Sequence, residues 1–145
     1  MTHERKQRLL SSIFAVLAGV SLAGFQATGA FAQDLPPGVT IAANMAFAPP
    51  AGLGAFQAMT FVIDVAPGAG LPLHSHPGRS EVMVLQGELT EKKPAGDQKV
   101  YRMGETFMEE PGEVHAVTNT GSDAVRLIWT LLLPEGTEPI ILHTD

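Results

Sequence analysis

The 145-residue chain contains no cysteine, which removes disulfides, thiolate-bound zinc, iron–sulfur clusters and thiol nucleophiles from consideration. Any metal must therefore be held by histidine, carboxylate or water. Charge is also scarce, at 17% of residues, and basic groups are the scarcer kind: 9 Lys and Arg against 15 Asp and Glu. With Arg5, Lys6, Arg8 and Glu4 set aside as part of a leader, those counts become 6 and 14. A surface that tracks phosphates needs the opposite sign, so nucleic acid is excluded as a partner. Outside the leader no segment keeps a helical period over eleven residues, and none is apolar for long enough to span a membrane.

The leader itself has three parts. Residues 1–8 are basic, residues 9–25 are apolar or small apart from Ser11, Ser12 and Ser21, and Ala30-Phe31-Ala32 follows. This is the pattern of a secretory signal peptide over residues 1–32, and its apolar run is at the short end for a retained anchor. The mature chain is expected to start near Gln33 and to be periplasmic or secreted from a bacterium, with no membrane attachment after cleavage.

What remains is rich in turn formers, with 15 Gly and 11 Pro in the whole chain. Residues 33–57 read as an N-terminal arm with one short strand at 39–43. Residues 58–145 then present strand signals at 58–65, 81–86, 87–92, 98–102, 106–108, 114–119 and 124–133, with an edge strand at 139–143. Turn clusters such as Pro94-Ala95-Gly96-Asp97 and Glu110-Pro111-Gly112 separate them. The predicted fold class is all-β: a barrel or double-sheet jelly roll of eight to ten strands. Leu131-Leu132-Leu133 breaks the alternation expected of a half-buried strand, which points to burial at a subunit contact and a homodimer.

Histidine carries the chemistry. His74-Ser75-His76 places two imidazoles on one face of an extended chain, an arrangement suited to a divalent Zn, Fe, Mn, Ni or Cu ion. From Gly68, five residues lead to His74, and Gly87 closes the strand that follows. From Gly104, five residues lead to Glu110, then come Pro111-Gly112, His115 and Asn119. These two runs resemble the cupin family motifs G-x5-H-x-H-x3/4-E-x6-G and G-x5-P-x-G-x2-H-x3-N, over roughly residues 61–133. The resemblance implies a double-stranded β-helix (jelly-roll) barrel holding one metal. It matches His74, His76 and His115 to the histidine ligands and Asn119 to the closing asparagine.

Two positions depart from the pattern. Glu110 stands in the proline slot, with Pro111 one place later. An ungapped reading puts Ser80, not a glutamate, in the carboxylate-ligand slot, with Glu81 next to it. A one-residue slip in a strand reverses the face a side chain takes, so Glu81 binds metal only if the Pro77-Gly78-Arg79-Ser80 loop absorbs the slip. With that adjustment Glu81 is the fourth ligand and the acid/base candidate. Glu109, Glu110 and Glu113 read as a solvated acidic turn, able at most to orient a histidine. Arg79 is available to an anionic ligand, and His143 reads as a residue of the tail.

The function expected is that of an exported metal-dependent enzyme on a small organic molecule, dioxygenase-like. The alternative is a non-catalytic module that binds metal or a small ligand. Three retained histidines argue against a purely structural dimer.

Overall fold

The computed structural model describes residues 34–47, 52 and 54–144, and the leader expected at 1–32 lies outside the described residues. Ten strands run in order: β1 Val39–Phe47, β2 Phe56–Val65, β3 Gly70–Ser75, β4 Arg79–Gln86, β5 Glu88–Lys92, β6 Gln98–Arg102, β7 Thr106–Glu109, β8 His115–Thr118, β9 Val125–Pro134 and β10 Ile141–Leu142. No helix occurs among the described residues. The fold is all-β, a double-stranded β-helix of two five-stranded antiparallel sheets, in orders β1-β2-β9-β4-β7 and β10-β3-β8-β5-β6.

The strand expected at 39–43 continues to Phe47 and pairs antiparallel with β2, which joins much of the N-terminal arm to the first sheet. His74 lies near the end of a strand of its own, β3, with His76 just beyond it, and the sequence pattern did not separate that strand from the loop before β4. Prolines and glycines within residues 66–78 hide its period.

Side-chain alternation places the core between the sheets. Along β9 every second residue is buried, including Val125, Leu127, Trp129, Leu131 and Leu133. Leu132 points outward at 49% exposure. The triple leucine is thus an ordinary half-buried strand, and its apolar excess is the single outward Leu132. Phe61 and Val84, both without exposed surface, complete the centre, with Phe61 packed on Trp129 at 5.5 Å between ring centroids. Each such side chain contributes about 1.5–3 kcal/mol by leaving water.

Asn119 fastens the strand ends. Fully buried, it donates from Nδ2 to the carbonyls of Val65 (2.9 Å) and Asp123 (2.8 Å), and its Oδ1 accepts from Gly121 N–H at 3.0 Å. One side chain therefore joins the end of β2 to the turn between β8 and β9.

Two glycines outside the family pattern are the tightest. A Cβ on Gly70 would lie 2.0 Å from the Val117 carbonyl oxygen, and one on Gly78 would lie 2.0 Å from that of Leu132. Backbone atoms cannot rotate away from such a contact. Gly104, a motif glycine with φ +87°, has nothing within 4 Å of the corresponding position. Gly78→Ala should therefore cost more stability than Gly104→Ala, about 2–3 kcal/mol against about 1–2 kcal/mol. Urea midpoints measured on the two variants check this, and the reverse order would contradict the packing described.

Candidate metal centre

Antiparallel pairing of β3 with β8 sets His74 opposite His115, and the period of two brings His76 to the same side. The three rings pack with centroid separations of 4.3 Å (His74–His115), 4.9 Å (His74–His76) and 5.4 Å (His76–His115). All three are buried, with exposures of 1% or less. Gly112 N–H donates to the His76 carbonyl at 2.8 Å, so the turn before β8 holds the chain just after β3 in place.

The carboxylate at this cluster belongs to Glu109, not Glu81. Burial along β4 alternates so that Ser80, Val82 and Val84 face inward while Glu81 is exposed on the outer face. The loop does not absorb a slip, and Glu81 is neither beside the histidines nor placed to act on anything they hold. Ser80 points inward as the ungapped reading requires. On β7, the register partner of Ser80 is Glu109, buried at 3% exposure. The carboxylate thus arrives from the neighbouring strand, at the height where the family pattern places it on β4.

Of the acidic run, then, only Glu109 belongs to the cluster. Glu110 pairs with Arg79 at 2.8 Å on the surface, which also engages the arginine left open to an anionic ligand. Glu113 pairs with Lys93. The one local hint of Glu109 is its alternation with Phe107 on a short strand, and the acidic run that follows obscures it. Another buried carboxylate that sequence reasoning missed is Glu91, held by the Tyr101 hydroxyl at 3.2 Å.

The hydrogen bonds decide which nitrogens are free. Nδ1 of His74 lies 2.7 Å from the Pro72 carbonyl, that of His76 2.7 Å from Pro139, and that of His115 3.2 Å from Glu113. A carbonyl only accepts, so each Nδ1 carries the hydrogen and each neutral ring turns its Nε2 lone pair inward. As neutral rings, His76 and His115 have buried Nε2 atoms that make no hydrogen bond. They nevertheless stand 3.3 Å and 2.9 Å from the two oxygens of Glu109. Lone pairs facing a carboxylate repel unless a proton or a cation lies between them.

His74, His76, Glu109 and His115 each offer one ligand atom, all within 4.8 Å of one another. Nitrogen and oxygen donors of this kind fit a divalent transition ion. Outer partners fix Glu109 as well as the rings. Its Oε2 accepts the Ser80 hydroxyl and, at 3.1 Å, the Trp129 indole N–H.

Burial works against the charged form at every one of these groups. It pushes His74 down to about 4, helped by the nearby charge of His115, and it lowers His76 as well. Burial also acts to raise Glu109, but the hydrogen bond from His115, the charges of His76 and His115 and the Ser80 hydroxyl outweigh it and hold that carboxyl at about 2. At His115 burial is outweighed in turn by the Glu109 hydrogen bond and charge, and its pKa rises above the ordinary value. Below that raised pKa a proton on His115 occupies the place between ring and carboxylate; above it the ring is neutral.

Beside the cluster is a cavity of about 40 Å³. Its walls are mainly apolar, among them Leu71, Val82, Leu89 and Leu127, with His74, Glu109 and Trp129 also facing it.

Taken together, two antiparallel sheets folded around a buried cluster of three histidines and one glutamate define a small jelly roll with a candidate metal centre. Residues 61–131 match the cupin domain family, and the chain belongs to the cupin superfamily. It is 33% identical over 105 residues to a germin-like protein of Morus alba, an alignment covering 69% of this chain and 49% of that one. To germin-like protein subfamily 3 member 3 of Arabidopsis thaliana it is 34% identical over 89 residues, covering 57% and 42%. The chain spans about half the length of the curated relatives it matches. Among solved structures, the Schizosaccharomyces pombe Cnp3 cupin domain has a TM-score of 0.52 at 20% identity, covering 72% of this chain and 66% of that one. A Klebsiella pneumoniae protein with a double-stranded β-helix domain has 0.51 at 22%, covering 61% and 76%. These likenesses are of fold.

Two outcomes are expected. Glu109→Gln should weaken binding of a divalent ion by more than the roughly 10–100-fold that loss of an outer partner costs, while Glu81→Gln should leave it unchanged. Because Ser80 and Glu109 already touch, the double substitution Ser80→Glu, Glu109→Leu should restore much of the affinity that Glu109→Gln loses; equilibrium metal competition measures all three. The second outcome concerns pH. Because the ion must displace the His115 proton, binding should release a proton below the raised His115 pKa, and affinity should fall about tenfold per pH unit there. The fall should steepen further down, towards pH 4, where His74 also protonates. Calorimetric titration in buffers of different ionisation enthalpy reads the proton count; zero release at mildly acidic pH would contradict the assignment.

Proposed function

We propose that this protein is an exported cupin that holds one divalent transition ion on His74, His76, His115 and Glu109 and acts as a metal-dependent enzyme, dioxygenase-like, on a small organic molecule. The observation that carries the reading is the convergence of three buried imidazoles and one buried carboxylate, four donor atoms within 4.8 Å of one another, an arrangement that is unfavourable until a proton or a metal ion lies between them. When bound, such an ion supplies Lewis acidity and, if redox-active, an electron-transfer partner.

The chain's own residues set the conditions for that chemistry. Three neutral imidazoles and one carboxylate leave part of a divalent charge uncompensated, which favours an anionic or polarisable ligand. Held at about 2, Glu109 remains an anion at any working pH and serves as a ligand rather than a proton carrier. Ser80 and Trp129 keep it from rotating away. The apolar walls exclude water, which strengthens electrostatic interactions inside. A cavity of about 40 Å³ takes only a few heavy atoms, so a larger substrate would present one end and leave the rest outside. That small volume is also what favours the second reading, a module that binds metal or a small ligand without turning it over.

We infer a homodimer formed through the outer face of the first sheet. Its support is that Met83, Met108 and Leu132 are all exposed on that face, with Met83 and Leu132 on adjacent paired strands. Light scattering reads the mass, and a monomer that persists at high concentration would oppose it.

The decisive experiment is expression with the leader in a bacterial host, followed by metal analysis of the periplasmic fraction and oxygen-consumption assays on a panel of small organic acids and phenols. One ion per chain is expected, lost in His74→Ala and in Glu109→Gln, with oxygen uptake that follows occupancy. Full loading of the His74→Ala, His76→Ala double variant would overturn the site. Full loading of the unaltered chain without turnover would favour the binding module.

A further inference from the structure

The last strand of the second sheet reaches the cluster from an unexpected direction. His74 and His115 each take their Nδ1 partner from a carbonyl two residues earlier, Pro72 and Glu113. His76 takes its own from Pro139, 63 residues away. The orientation of one ring of the three thus depends on a remote segment.

That segment is also attached to the strand carrying the ligands. Ile141 pairs with Ser75 and Leu142 with His74. His143 N–H donates to the Leu73 carbonyl at 2.9 Å, and its Nε2 lies 2.8 Å from the hydroxyl of Ser75, the buried residue between His74 and His76. Ile140, at 5% exposure, faces the same cavity as His74 and Glu109. By contrast Ile141 and Leu142 are 45% and 62% exposed. Backbone hydrogen bonds, the buried side chain of Ile140 and the His143 contact to Ser75 hold the segment down, whereas the central side chains Phe61, Val84, Leu131 and Leu133 belong to the first sheet.

We propose that residues 139–143 form a C-terminal clamp that completes the metal centre, with Pro139 as a positioning residue acting through its carbonyl on His76 and His143 securing Ser75 from the open edge of the sheet. This rests on the reading of the cluster as a metal site. A partner that fixes a histidine's tautomer is worth about 10–100-fold in metal affinity. The clamp therefore makes affinity depend on residues 139–143 while barrel formation depends on the strands before them. His143 is accordingly part of the support for the site and not a free residue of the tail.

The test compares the full chain, a chain ending at Glu138, and the variants Pro139→Ala and His143→Pro. Affinity is read by cobalt(II) titration with zinc competition, folding by circular dichroism, and histidine tautomers in the metal-free state by long-range proton–nitrogen NMR. The shortened chain should keep its strand signal and bind about 10–100-fold more weakly, with His76 losing its fixed Nδ1–H form while His74 and His115 keep theirs. Pro139→Ala retains the carbonyl and should be unchanged. His143→Pro removes both the N–H bond to Leu73 and the contact to Ser75 and should weaken binding several-fold; it decides the matter if the shortened chain does not fold. Unchanged affinity and an unchanged His76 tautomer in a folded shortened chain, or in His143→Pro if that chain does not fold, would overturn the clamp. Should the full chain bind neither metal, the site reading fails instead, and the tautomer comparison still decides whether Pro139 positions His76.

Discussion

Glu109 is an anion with 3% exposure, and the residues around it are arranged to make that tolerable. An isolated buried carboxylate would lose its charge rather than remain. Here one oxygen faces His115 Nε2 at 2.9 Å, and the other receives the Ser80 hydroxyl and the Trp129 N–H. Those partners come from β8, β4 and β9, so the compensation of one charge draws on both sheets. A divalent ion held by this cluster would compete with a proton on His115 for the same position, which would couple occupancy to pH.

The pairing of Ser80 with Glu109 puts the carboxylate on β7 where the family motif has it on β4. In an antiparallel pair, residues in register project from the same height on the same face. A carboxylate at position 109 on β7 therefore enters nearly the same volume as one at position 80 on β4 would, and Ser80 donates to it. The alternation that would have had to break to bring Glu81 inward is preserved from Arg79 to Leu85.

Each imidazole is fixed by a carbonyl, but the three carbonyls differ in reach. Two are local and come with the strand or turn that carries the histidine. The third, from Pro139, exists only because β10 returns to pair with β3. The cluster thus depends on the path of the chain's end as well as on the two motifs.

Much of this was legible beforehand. Gly and Pro spacing with short apolar runs specified an all-β jelly roll, and most strands lie where the period of two placed them. His74, His76 and His115 were identifiable because their spacing to Gly68, Gly104 and Gly112 is local and survives in one dimension. The carboxylate was not, because Glu109 follows a phenylalanine and a methionine and precedes Glu110 and a turn, a setting that reads as solvated. Its burial is decided by the pairing of β7 with β4, a contact across 29 residues for which no local rule exists. The same holds for Pro139 and His143, whose roles arise from an edge pairing. Sequence alone determined most of the strands and that His74 and His76 share a face, since both follow from the backbone period. Only the tertiary structure decided which carboxylate meets them and which carbonyls orient them, since those depend on the register between strands distant in the chain.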